Sequence, residues 1–197
     1  MNERESVRAF LAVPPDPEWS ASARELVDDL RPRLPQASWT RPESWHLTLR
    51  FLGDVASERL AALSAALGRL SAGRSGAVLS TRGPVVFPPR GPARVLAVEL
   101  EPDAELSALA EAAEGGARET GLPPETRPFR PHVTFARIRR PWSAGAVALF
   151  IDEARRWTFP LWPVQTFVRY ESELASGGAV HTPRETWALP ARAGGAA

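Results

Sequence analysis

Two short segments constrain this chain more than anything else in it. His46-Leu47-Thr48-Leu49 recurs 86 residues later as His132-Val133-Thr134-Phe135. Each reads His, apolar, Thr, apolar, inside a stretch of strand character. Side chains of a strand alternate between its two faces. The His and Thr of each copy therefore share one face, and the apolar pair fills the other. With three His and 10 Thr in 197 residues, two His carrying Thr at +2 is about a one-in-a-hundred coincidence. The fold needs a half-buried strand under each copy, with a core side and an open side.

The rest of the chain supplies the elements around those strands. Val7 to Val13 reads as a strand. Asp16-Pro17 then opens a helix with Trp19, Ala23, Leu26 and Leu30 at helical spacing, closed by Pro32 and Pro35. Ser38 to Thr40 and Trp45 to Leu52 read as strands. Ser57 caps a second helix with Leu60, Leu63, Leu67 and Leu70 on one face, broken at Gly73 and Gly76. Ala77 to Phe87 and Arg94 to Leu100 form a strand pair. Asp103 caps a third helix, Arg130 to Ile138 is a strand, and Ser143 to Glu153 is a weaker helix. Val164 to Glu173 and Val180 to Leu189 make a last hairpin around Gly177-Gly178. Mixed elements with hairpins predict an α+β fold with antiparallel sheets. Residues 1–190 are expected to form one bilobal domain and 191–197 a disordered tail.

Composition removes several chemistries. All 24 basic residues are Arg, so no lysine Schiff base or P-loop lysine is available. With no Cys, thiolate catalysis, disulfides and zinc ribbons fall away. No G-x-S-x-G elbow is present. Acid–base work near neutral pH then falls to His46, His132 and His181, to carboxylates or to water. No signal peptide or long apolar run is visible, so a cytoplasmic protein with no membrane contact is expected.

Two imidazoles facing one another across a cleft can split such work. One takes a proton from water and the other gives one to a leaving oxygen. A Thr hydroxyl two residues on can hold a phosphoryl oxygen. Charge supports an anion site. Arg59 to Val98 holds six Arg and no acid, and Thr126 to Ile151 holds five Arg and no acid. By alternation Arg50 (+4) and Arg130 (−2) share the face of their His. Arg137 (+5) is expected on the opposite face unless a bulge intervenes, and is read as structural or peripheral. His181, with Thr182 at +1, is read as a surface or structural histidine. Neither strand carries an acid beside its His on the same face, so no metal is expected.

These segments resemble the two-histidine phosphoesterase superfamily, and within it the RNA 2′,3′-cyclic phosphodiesterases, also called LigT-like or 2′-5′ RNA ligases. Similar stretches are Arg8–Val13, Trp39–Gly53, Phe87–Val98, Arg127–Arg137 and Ser172–Ala179. Arg50 stands where Lys is usual in that family, and Ala97 where an aromatic is common.

The resemblance implies a bilobal α+β fold in which two antiparallel sheets face a central groove, with helices outside. It implies metal-free, cofactor-free opening of RNA 2′,3′-cyclic phosphate ends to 2′-phosphomonoesters, and the reverse, ATP-independent 2′-5′ joining to a 5′-hydroxyl. His132 would be the general base and His46 the general acid, an assignment that the two directions of reaction can exchange. Thr48 and Thr134 would hold phosphate oxygens, Arg130 and Arg50 would add contacts, and Phe10 would pack a base or ribose. The expected partners are RNA ends, tRNA fragments among them, or 2′,3′-cyclic nucleotides, bound by a monomer. A non-catalytic adaptor for RNA ends or cyclic nucleotides is the alternative, and a phosphodiesterase for a small nucleotide metabolite is a third reading.

Overall fold

The computed structural model describes residues 6–175 and 178–190. The expected tail 191–197 and the tip of the last hairpin at 176–177 lie outside the described residues. In chain order the elements are β1 (Ser6–Val13), α1 (Pro17–Arg33), β2 (Ser38–Trp39), β3 (Leu47–Ala56), α2 (Ser57–Ser71), β4 (Val78–Leu79) and β5 (Thr81–Phe87). They continue with β6 (Val95–Leu100), α3 (Ala104–Glu119), β7 (His132–Arg137), α4 (Ala144–Arg156), β8 (Trp162–Pro163), β9 (Thr166–Ala175) and β10 (Gly178–Ala188).

Local chemistry explains most boundaries. Asp16 accepts from the backbone N–H groups of Glu18 and Trp19, satisfying two donors that the first turn of α1 leaves free. Asp103 and Ser143 cap α3 and α4 in the same way, through Leu106 N–H and Ala146 N–H. Three expectations shift. α1 runs through Pro32 to Arg33. Ser57 is the first residue of α2, and Ala56 stands at the cap position. The long strand expected over Ala77–Phe87 is two, because β4 leaves to pair with β8 in a small separate sheet. β7 begins at His132 because Pro131 has no N–H to give to a ladder.

Seven strands run in the order β10-β9-β1-β3-β7-β6-β5, with β2 alongside β7, and every pairing is antiparallel. The two expected sheets are therefore halves of one. They meet where β3 and β7 touch at a single residue pair, Leu47 and Val133. The connectivity repeats on either side of that pair. The order β9-β1-β3 on one side matches β5-β6-β7 on the other, so β1 corresponds to β6 and β3 to β7. The helices obey the same relation: α2 packs on α3 as α4 packs on α1.

A layer of helices buries one face of each half. In the first lobe α2 and α3 pack beside β3, and Leu63, Leu67, Leu106 and Leu109 are buried. The approach of the two helices is close at Gly116, where a Cβ would stand 3.0 Å from a Leu67 methyl. In the second lobe Trp19 of α1 is fully buried against Phe159, Trp162 and Phe135, and its indole N–H donates to Thr81 Oγ1 at 3.0 Å. Burying each such side chain stabilises the fold by about 2 kcal/mol before entropy is counted. Leu47 and Val133 are fully buried in this core. Their neighbours His46, Thr48, His132 and Thr134 are half-buried on the face without helices.

Candidate active site

The β3–β7 register builds the site. Leu47 pairs with Val133, so one residue either way sets His46 across from Thr134 and Thr48 across from His132. Each histidine thus stands beside the other motif's threonine, related by a pseudo-two-fold axis through the central pair.

Both imidazoles are anchored alike. His46 Nδ1 lies 2.8 Å from the carbonyl oxygen of Ser44, and His132 Nδ1 lies 2.7 Å from that of Arg130. A carbonyl only accepts, so each ring donates from Nδ1. That leaves Nε2 of both rings as the atom able to take or give a proton. Burial pushes the His46 imidazole down to about 4, against the opposing hydrogen bond to Ser44, and the charges of His181, His132 and Arg137 push the same way. Burial also lowers His132, as does the charge of Arg130, while the Arg130 carbonyl and Glu99 act in the other direction. Both rings are neutral in the ligand-free protein at neutral pH.

Strict alternation fails one residue past each threonine, and the failure has a cause. β1 pairs Ala12 with Thr48 but Leu11 with Arg50, leaving Leu49 as an extra residue. β6 pairs Ala97 with Thr134 but Leu96 with Ala136, leaving Phe135 as an extra residue. Each motif strand carries a β-bulge at the same place, and a bulge reverses the faces of the residues beyond it. Leu49 and Phe135 sink into the core.

Two charged residues exchange roles as a result. Arg50 turns to the helix side and is 8% exposed. Its Nε lies 2.5 Å from Glu114 of α3, and its other nitrogens donate to the carbonyls of Phe51 and Pro123. It clamps the motif strand to α3 from behind, and the expected phosphate contact is corrected to that. Arg137 turns into the groove, where its charge acts on all three imidazoles. It forms no ion pair among the described residues, which leaves it open to an anion.

The remaining residues divide by lobe. Arg130 is at the groove on the His132 side, but it already donates to Glu99 at 3.1 and 2.7 Å and lies 4.9 Å over the Phe87 ring. Phe87 in turn flanks His132 at 4.8 Å, and Ala97, where an aromatic is usual, is fully buried opposite Thr134. Phe10 is 3% exposed, so it offers a ligand almost no surface. It underlies the site instead, 4.7 Å from His46 and stacked on Tyr170 at 5.2 Å.

His181 belongs to the site, although its sequence context marks it as peripheral. Its ring stands edge-on to His46 at 5.2 Å and 88° and to Phe10 at 4.9 Å and 81°. Its position on β10, two strands from β1, gives no local sign of this. The only usable signal is that the third His also lies in a strand. No group of three His, Cys, Asp or Glu among the described residues is placed to hold a metal, and no described helix is long and apolar enough to cross a membrane.

The model of the LigT-like phosphoesterases matches twice, over residues 13–97 and 98–181. The chain is 33% identical to the RNA 2′,3′-cyclic phosphodiesterase of Thermus thermophilus over 194 residues, covering 93% of this chain and 90% of that one. It is 29% identical to the enzyme of that name from Methanothermobacter thermautotrophicus, covering 93% and 99%. Among solved structures, TT0787 of Thermus thermophilus superposes with a TM-score of 0.79 at 30% identity, covering 94% of this chain and 99% of that one. Escherichia coli LigT complexed with 3′-AMP gives 0.71 at 27%, with the same coverage. The chain belongs to the LigT-like phosphoesterase family.

Proposed function

We propose that this protein hydrolyses RNA 2′,3′-cyclic phosphate ends to 2′-phosphomonoesters by paired acid–base catalysis. The observation that carries the reading is the cross-strand square of His46, Thr134, His132 and Thr48, with both rings anchored through Nδ1 and neither Nε2 bonded among the described residues. The relatives named RNA 2′,3′-cyclic phosphodiesterases support the substrate class.

The cyclic phosphate sits between the two rings, its non-bridging oxygens held by the Thr48 and Thr134 hydroxyls and by Arg137. His132 Nε2 takes a proton from water as the water oxygen bonds to phosphorus. The bond from phosphorus to O3′ breaks, and His46 gives that oxygen its proton. The product keeps its phosphate on O2′ and carries a 3′-hydroxyl. One proton must be shared by the two rings, although burial disfavours it in the free protein. The bound phosphate supplies the compensating negative charge, which lies against both imidazoles. A 5′-hydroxyl in place of water would give the 2′-5′ joined product from the same geometry, without ATP. His46 and His132 exchange roles when the reaction runs backwards.

The test is turnover of an RNA 2′,3′-cyclic phosphate end and of a 2′,3′-cyclic mononucleotide, both in chelator. Product is expected from the wild type. His46→Ala and His132→Ala should each remove turnover while circular dichroism stays native. Near-normal activity in either variant would sink the mechanism. Binding without product would favour an adaptor. The ratio of kcat/KM for the two compounds separates an RNA enzyme from one acting on small nucleotides.

A further inference from the structure

We infer that the RNA strand runs from the groove across the second lobe and seats one of its backbone phosphates in a cavity between Arg82 and Arg155. The inference rests on the proposed function and narrows its substrate class to a polynucleotide end, held better than a mononucleotide.

The cavity has a volume of about 210 Å³ and is lined by Arg82, Gly83, Pro84, Glu99 and Arg155. The sheet places it beside the active site. His132 pairs with Glu99 of β6, and Glu99 pairs with Gly83 of β5, so the three stand in one row across three strands. At the usual strand spacing that row spans about 10 Å, within reach of a single strand whose cyclic end lies at His132. β5 is the outer strand of this lobe, and its local chemistry leaves the place open. Arg82 is an extra residue in the register, between Thr81 opposite Leu100 and Gly83 opposite Glu99. Such a bulge re-aims the side chain it carries. Gly83 has a φ of +136°, a conformation that favours glycine, and a Cβ there would meet nothing within 4 Å. Pro84 has no N–H to offer a further strand.

Charge decides what the cavity takes. Its one carboxylate, Glu99, is 15% exposed, held by Arg130 at 2.7 Å and only loosely approached by Arg82 at 3.9 Å. Arg155 is exposed on the last turn of α4 and forms no ion pair among the described residues. Three guanidiniums thus surround one carboxylate, and two positive charges are left unmatched. The corresponding place in the first lobe is closed. There β9 and β10 carry Arg169, Arg184, Glu171 and Glu185, two of each sign, already paired with one another. An anion on that side would have to break ion pairs, whereas between Arg82 and Arg155 it completes them. A phosphodiester carries one negative charge and two free oxygens, one for each guanidinium. Contacts to the backbone read no sequence, so the site accepts any base.

The experiment compares wild type with two double variants, Arg82→Gln with Arg155→Gln, and Arg82→Lys with Arg155→Lys. The substrates are adenosine 2′,3′-cyclic phosphate, the triadenylate ending in the same cyclic phosphate, and that triadenylate with uncharged methylphosphonate links. In the wild type the charged triadenylate should have the lowest KM of the three. The Gln pair should raise that KM about tenfold, with kcat within about twofold. It should also flatten the slope of log KM against log salt by about 0.7. The mononucleotide and the uncharged triadenylate should not distinguish the proteins, and the Lys pair should restore most of the loss. An unchanged KM for the charged triadenylate in the Gln pair, or equal losses on all three substrates, would overturn the assignment. If the wild type turns over none of them, the proposed function falls. The affinity of a triadenylate ending in a 2′-phosphate then decides the cavity by itself, and equal binding by wild type and the Gln pair would refute it.

Discussion

Lowering the pH should weaken this protein through His46, and the size of the effect comes from its burial. The ring has an ordinary value of 6.5 and is held at about 4 in the folded chain. Between those values the unfolded chain binds a proton that the folded one refuses. Stability is complete above 6.5 and is lost as the pH falls toward 4. At about pH 4.5 the loss assigned to this one group is about 2.5 kcal/mol relative to neutral pH. That is a large part of the total for a domain of this size. Urea denaturation of wild type and His46→Gln at neutral pH and at about pH 4.5 measures it directly. His132 and His181 are also lowered by burial, so both proteins should weaken in acid. The wild type should weaken more, by about the amount above. Equal losses would mean that His46 is not held neutral by burial, and the account of its proton would have to be abandoned.

The same geometry sets three further outcomes. Both motif imidazoles, the proposed acid and base, are lowered, so the state with one proton between them is most populated on the acid side of 6.5. A kcat/KM profile for a cyclic nucleotide should therefore peak below that value, and a maximum on the alkaline side would contradict it. Glu114→Leu leaves the Arg50 guanidinium nearly buried without its counter-ion and should cost about 3 kcal/mol in chemical denaturation; a loss near zero would mean that the clamp is idle. Arg137→Ala should weaken inorganic phosphate binding about tenfold by calorimetry while the melting temperature stays put, because the side chain is exposed and has no ion-pair partner among the described residues.

Much of this is legible in the sequence because it is local. Capping residues, the spacing of Leu63 and Leu67, and the alternation through His46 to Thr48 are short-range patterns with direct physical meaning. Alternation carries only as far as the bulges. A bulge is decided by how neighbouring strands fit, and nothing in Leu49 or Phe135 marks the extra residue. Strict alternation therefore gives Arg50 and Arg137 each other's roles. The family resemblance, not alternation, brings in Phe10 as a packing surface for a base or ribose, and the burial of that ring depends on Tyr170 and His181, which arrive more than 150 residues later. His181 escapes a local reading for the same reason. What brings it to His46 is the order of strands in the sheet.

The way the chain weaves between the two lobes has a consequence for cutting it. β1 and β3 lie in the first lobe, β5 to β7 in the second, and β9 and β10 return to the first. α1 crosses to cover the second lobe, and α3 crosses back to cover the first. Each half of the sequence matches the same family model, yet neither half owns a lobe. A protease that nicks the link between β6 and α3 would free no stable fragment, since each piece supplies elements to both lobes. The two pieces should stay together, keep both motifs in register, and melt in a single calorimetric transition. Separately expressed halves should regain activity only when mixed.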